Sequence, residues 1–114
     1  MAQEEKAQWA KVIETSDAFF YIEVTSVMKN DQIRSVWEIV DMKKAGDDGA
    51  RSLMMLVVYD MTAPRHRILA LKKYSGQMLG GELLSDEKNE SDEWRPLKPG
   101  TAAEAISRIV AKFN

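Results

Sequence analysis

Only one stretch of this chain has helical periodicity, and it is the last. "KPGTAAEAISRIVAKFN" (Lys98–Asn114) opens on Pro-Gly and then places Thr101 three residues before Glu104. At that spacing the threonine hydroxyl can accept from the Glu104 amide, and the glutamate can reach back to the Thr101 amide. Ile106, Ile109, Val110 and Phe113 follow at i, i+3, i+4 and i+7, which lines them along one face of a helix. Glu104 and Arg108 fall four residues apart on the solvent side, where opposite charges support the helix. The pattern predicts a C-terminal helix of about three turns. Such an apolar stripe must be buried against a second layer.

That layer has to be a sheet, because the segments upstream alternate or are rich in branched and aromatic residues. "WAKVIET" from Trp9 is a short strand. "AFFYIEV" (Ala18–Val24) follows a Ser16-Asp17 turn. "KNDQ" (Lys29–Gln32) reads as a turn into "IRSVWEIVD". There Ile33, Trp37 and Ile39 share one face, with Arg34 and Glu38 on the other. "KKAGDDGAR" is a loop whose Asp-Asp-Gly tolerates positive φ. "SLMMLVVYD" (Ser52–Asp60) is apolar on both faces, as in a central strand. "TAPR" turns the chain into "HRILALKKY". "SGQMLGG" turns or bulges on its glycines, and "ELL" is a short strand. "SDEKNESDE" (Ser85–Glu93) reads as a solvated loop. "EWRPL" is a last short strand, which Pro96 marks as an edge or an end. The expectation is an α+β fold: an antiparallel sheet of about six strands with one C-terminal helix. Residues 1–8 are expected to be a disordered polar segment and residues 9–114 one domain.

A chain of 114 residues can hold a core without staples. The formal net charge of −2 argues against nucleic acid as a partner. The absence of cysteine removes disulfides, thiol nucleophiles and thiolate metal sites. No apolar run approaches the roughly 20 residues of a membrane span. A Met placed before Ala2-Gln3-Glu4 is what an exported chain looks like once its signal has been replaced, so export is expected.

The densest cluster of chemistry is "YDMTAPRHR". One reading makes His66, the only histidine, a general base oriented by Asp60, with Arg65 and Arg67 as anion binders. The other reading is a charged hairpin. On a strand Arg65 and Arg67 share a face while His66 points the other way, which splits the supposed site. The hairpin is the more economical reading, and Arg65 and Arg67 remain as a candidate contact for a partner or an anion. The acidic loop lacks the spacing and glycine of a calcium loop. "GQMLGG" does not match a dinucleotide loop, and no G-x-S-x-G elbow or metal-ligand spacing occurs. No catalytic residue, metal or cofactor is expected. Trp9, Phe19, Phe20, Tyr21, Trp37, Tyr59 and Tyr74 serve mainly as core, but a sheet covered by one helix leaves some of them exposed.

Taken together, the segments resemble the bacterial surface-adhesin protein E family. "FFYIEVTSVMKNDQIRSVWEIVD" resembles its Y-x-D-x-x-S-I, turn, V-x-V-W-x-L-x-D segment. "YDMTAPRHRILALKKYSGQMLGGELL" is similar to its Y-D-C, turn, R-x-R, Y-S-x-x-M-G-x-G block. "EWRPLKPGTAAEAISRIV" resembles its W-x-P-V-x-P-G-T/S closing helix. The resemblance implies a curved sheet with the helix packed in its hollow, and export to the periplasm or the cell surface. It also implies a non-catalytic, adhesin-like role with a host matrix or envelope protein as partner, and a homodimer as a further possibility. A small anionic ligand between helix and sheet, or a structural homo-oligomer, are the competing roles. Two departures stand out. Met61 occupies the place of a family cysteine whose partner falls near Ala111, and Glu23 stands where Asp is usual.

Overall fold

The computed structural model describes residues 8–88 and 93–113. The strands are β1 (Trp9–Glu14), β2 (Ala18–Glu23), β3 (Met28–Asn30), β4 (Ile33–Met42), β5 (Ser52–Asp60), β6 (Arg65–Tyr74), β7 (Leu83–Lys88) and β8 (Arg95–Pro96). One α-helix, α1 (Ala102–Val110), ends the chain, and short 3-10 turns occupy Val24–Ser26 and Gln77–Leu79. The strands form one open sheet in the order β1-β2-β4-β5-β6-β7, and every pairing is antiparallel. β3 pairs with β4 and β8 with β6, off this path, which brings the described strands to eight rather than about six.

Strands β4 and β5 form the backbone of the sheet, in register from Ile33↔Asp60 to Asp41↔Ser52. Residues paired across strands share a face, as do residues two apart along a strand. One face carries Ile22, Val36, Val57 and Tyr59, and these pack against Ile106 and Val110 of α1, with Leu97 completing the cluster. Ile106 and Tyr59 are each only 1% exposed. Burying an aliphatic side chain of this size contributes about 1.5–3 kcal/mol, so the helix stripe is what closes the core. A bulge in β1 between Lys11 and Ile13 lets the consecutive Val12 and Ile13 both pack on that core.

The helix starts as expected in one respect and not in another. Thr101 Oγ1 accepts from the Glu104 amide at 3.2 Å. The Thr101 amide, however, donates to the Lys98 carbonyl, and the Glu104 carboxylate pairs with Arg108 at 2.9 Å. The Pro-Gly turn satisfies the amide that the glutamate would have capped, so the box is only half formed.

Two other expectations change. The loop expected at Ser85–Glu93 is strand β7 as far as Lys88, and residues 89–92 lie outside the described residues. The register sets Asp86 opposite Lys72 and Glu87 opposite Leu71, so an acidic segment is held against a strand with lysines on it. The turn expected at Lys29–Gln32 shrinks to Asp31 and Gln32, because Met28–Asn30 pairs with β4. Asp31 adopts φ 56°, and Arg34 Nη1 clamps it by donating to its carbonyl at 2.7 Å. The expected disordered start falls outside the described residues except for Gln8. The Gln8 carbonyl accepts from the Val24 amide, and its own amide donates to Glu23.

Candidate interaction surface

The sheet has a second face on which no described helix lies. Trp9 and Lys11 of β1, Phe19 and Tyr21 of β2, Trp37 of β4 and Leu56 of β5 point this way by pairing and alternation. Trp9, Tyr21, Trp37 and Leu56 are half-buried. None of these six belongs to the cluster under the helix.

One end of this face is capped by the glycine-containing loop after β6. The Met78 amide donates to Asp41 Oδ1 at 3.0 Å, and the Leu79 amide to Ser52 Oγ at 2.9 Å. Ser52 Oγ in turn donates to the Gly76 carbonyl at 2.6 Å. These bonds hold Met78 and Leu79 at φ 49° and 64°, a left-handed conformation that costs a non-glycine residue free energy. Gly81 is required here: it sits at φ 71°, and a Cβ on it would lie 2.3 Å from Ser75 Oγ.

Aromatic rings flanked by cations mark this side of the sheet at two places. The guanidinium carbons of Arg65 and Arg67 lie 4.4 Å and 5.0 Å from the Trp94 ring centre. Lys11 and Lys43 lie 5.0 Å and 4.9 Å from the centre of Phe19. Stacking of this kind fixes a long cationic side chain and contributes about 0.5–1 kcal/mol at an exposed site. The sequence singled out Arg65 and Arg67, and the structure does bring them together. Trp94 is the residue that sequence reasoning missed. It is remote in sequence, and only the return of β8 beside β6 delivers it.

The proposed catalytic pair does not form. Asp60 accepts from the Thr62 hydroxyl and amide and from Arg65 Nε. Those Thr62 bonds, and then Arg65, hold its carboxyl down at about 2. His66 pairs with Tyr59 on the helix side and stacks on its ring, with centroids 6.1 Å apart. Burial lowers its pKa.

The helix side holds a polar pair that strand alternation had marked only as charged. Glu38, 3% exposed, accepts from the Tyr59 hydroxyl within the core. Burial pushes its carboxyl up from an ordinary 4.5 to about 7, and the tyrosine hydrogen bond offsets part of that rise. A cavity of about 200 Å³ lies between α1 and the β5–β6 turn, lined by Asp60, Met61, Pro64, Glu104, Arg108 and Ala111 among others. Arg65 and Arg67 do not line it. Met61 and Ala111, the places where the family resemblance puts a cysteine pair, face this one space. Among the described residues no cluster of three His, Cys, Asp or Glu could hold a metal ion. No described helix is long and apolar enough to cross a membrane.

Comparison with known proteins places this architecture. The selenomethionine form of Haemophilus influenzae protein E superimposes with a TM-score of 0.66 at 14% identity, over 96% of this chain and 91% of that one. Crystal form II of the same protein gives 0.66 at 14% identity, over 96% and 92%. Protein E from non-typeable Haemophilus influenzae gives 0.55 at 14% identity, over 95% and 87%. At such identity these matches speak for the fold. No curated protein matches the chain. The family model for surface-adhesin protein E matches residues 9–110. That span runs from the first residue of β1 to the last residue of α1, and the chain therefore belongs to the surface-adhesin protein E family.

Proposed function

We propose that this chain is an exported, non-catalytic domain of the bacterial surface or periplasm that binds a macromolecular partner through its helix-free face. One observation carries the reading: half-buried Trp9, Tyr21 and Trp37 share a face that no described helix covers. Aromatic side chains of this kind are enriched at protein interfaces, where one side stays packed and the other meets the partner. Arg65 and Arg67 stand at the rim as contacts already ordered by Trp94. Membership in an adhesin family agrees with a surface role, and the family's implied fold makes the helix side the concave one.

Two competing roles have less support. A small anion held by Arg65 and Arg67 between helix and sheet is disfavoured, because that cavity is lined by Asp60 and Glu104 beside Arg108. Edge-to-edge assembly with a second copy is opposed by the bulge in β1 and by the charged residues Asp86, Glu87 and Lys88 of β7.

Pull-down with the purified domain from host matrix proteins, and separately from the envelope of the source bacterium, tests the reading. A saturable partner whose capture weakens on Trp37→Ala, in protein that still folds, is the expected result. No saturable partner in either material would sink it.

A further inference from the structure

The aromatic residues of the helix-free face fall on a regular interval. Trp9 pairs with Glu23 across β1 and β2, and one step on from the Ile22↔Glu38 pair Glu23 comes level with Trp37 of β4. Trp9 and Trp37 therefore stand in one row, two strand spacings or about 10 Å apart. Tyr21, two residues from Glu23 along β2, borders the gap between them. Ile39 and Val58 share this face but are sealed, at 1% and 7% exposed, whereas the three rings stay half-buried. The charges around the rings are of both signs. Lys72 stands directly across from Asp86, Lys43 pairs with Glu14 at 2.9 Å, and Arg65 pairs with Asp60 at 3.0 Å. Between the two tryptophans the Glu23 carboxylate is fixed by the Gln8 amide and by Thr25. Its Oε2 accepts only from the Thr25 hydroxyl among the described residues, and so retains capacity to accept. A partner of one charge sign, acidic or basic, would meet like charges here. The balance fits an uncharged partner that both donates and accepts hydrogen bonds.

Resting on the partner-binding reading above, we infer that this face docks an extended, β-linked, chitin-type glycan strand, that of the bacterial cell wall. A pyranose ring has a face of C–H groups, which the negative face of an aromatic ring attracts, and a rim of hydroxyls that donate and accept. In such a chain successive rings are turned over, so alternate rings present the same face at the interval that separates Trp9 from Trp37. The ring between them lies over Glu23 and beside Tyr21. Leu56, next to Trp37 in the row, extends the apolar track. Every second ring of the wall strand carries no peptide, which leaves it free to stack on the tryptophans. Sulfated matrix glycans are polyanions and would need an excess of cations that this face lacks.

Isothermal titration calorimetry of the whole domain with a series of chitin oligosaccharides tests the inference. Binding is expected to be saturable and nearly insensitive to salt. It should strengthen by about tenfold once the chain is long enough to span two alternate rings. A maltose-type oligosaccharide, whose α-linkages coil the chain, is expected to bind at least about tenfold more weakly. Trp9→Ala and Trp37→Ala are each expected to weaken binding by about tenfold or more. Trp37→Phe keeps a ring and should keep most of the affinity, which guards against misfolding as the cause of a loss. Purified wall sacculi are expected to sediment the wild-type chain and not the Trp37→Ala chain. No saturable binding to the chitin series, none to sacculi, equal binding of the two sugar types, or unchanged binding in both alanine variants overturns the inference. A protein captured from matrix or envelope through Trp37, with no sugar bound, also overturns it while leaving the partner-binding reading standing. No captured protein and no sugar binding removes both.

Discussion

The two faces of the sheet use similar residues in opposite ways. Under the helix, Ile22, Val36, Val57 and Tyr59 are sealed against Ile106 and Val110, and a carboxyl, Glu38, is sealed in with them. On the other face Trp9, Tyr21, Trp37 and Leu56 stay half-buried, and the charges there lean on rings or on one another. The more aromatic face is thus the open one, and the face with a buried acid is the closed one. Hydrophobic content alone does not decide which side of a two-sided sheet becomes core; the docking of the single helix does.

The most forceful way to break this contrast is to remove the same kind of packing from each side. Ile106→Ala is expected to cost about 4 kcal/mol, because a fully buried isoleucine leaves a cavity behind. Leu56→Ala, from the half-buried side, is expected to cost about half as much. Urea denaturation midpoints decide it, and a Leu56 loss as large as that at Ile106 would abolish the distinction between the faces.

The junction between helix and sheet can be tested by introducing a crosslink. Met61 and Ala111 line one cavity, so Met61→Cys with Ala111→Cys is expected to form a disulfide under mild oxidation. Closing a loop of about 50 residues should stabilise the domain by up to about 4 kcal/mol, less any strain. Thiol titration and Tm with and without reductant report it. Thiols that stay reduced would mean that the helix does not sit over the β5–β6 turn as described.

A pH titration sharpens the contrast at Glu38. Its folded carboxyl is raised from 4.5 to about 7, chiefly by burial. Between those values the unfolded chain releases the proton while the folded one keeps it, so stability falls as pH rises through that window and levels off above it. The size is about 3 kcal/mol. Glu38→Gln keeps an acceptor for Tyr59 but has no proton to lose, and the fall should vanish. Depressed carboxyls such as Asp60 act with the opposite sign near pH 2–4, where stability grows as pH rises, so the difference between wild type and Glu38→Gln isolates the buried group. Identical profiles would show that Glu38 is not sealed.

Much of this architecture was readable from the chain. The i, i+3, i+4, i+7 spacing of Ile106, Ile109, Val110 and Phe113 marked the helix and its buried stripe. Strand alternation correctly put His66 opposite Arg65 and Arg67. β7 was legible only in part, because an acidic run looks solvated until a lysine-bearing strand is set beside it. Trp94 was not legible as a partner of the two arginines, since nothing local links residues so far apart in sequence.

The sequence by itself determined the periods, the turns and the one helix, because these follow from backbone geometry within a few residues. Its ordered motifs were also enough to point to the family. The tertiary structure decided which face the helix would seal, that Glu38 would be buried beside Tyr59, and that Trp94 would order Arg65 and Arg67. Those outcomes rest on contacts between distant strands, and burial is a property of the assembled layers rather than of any one segment.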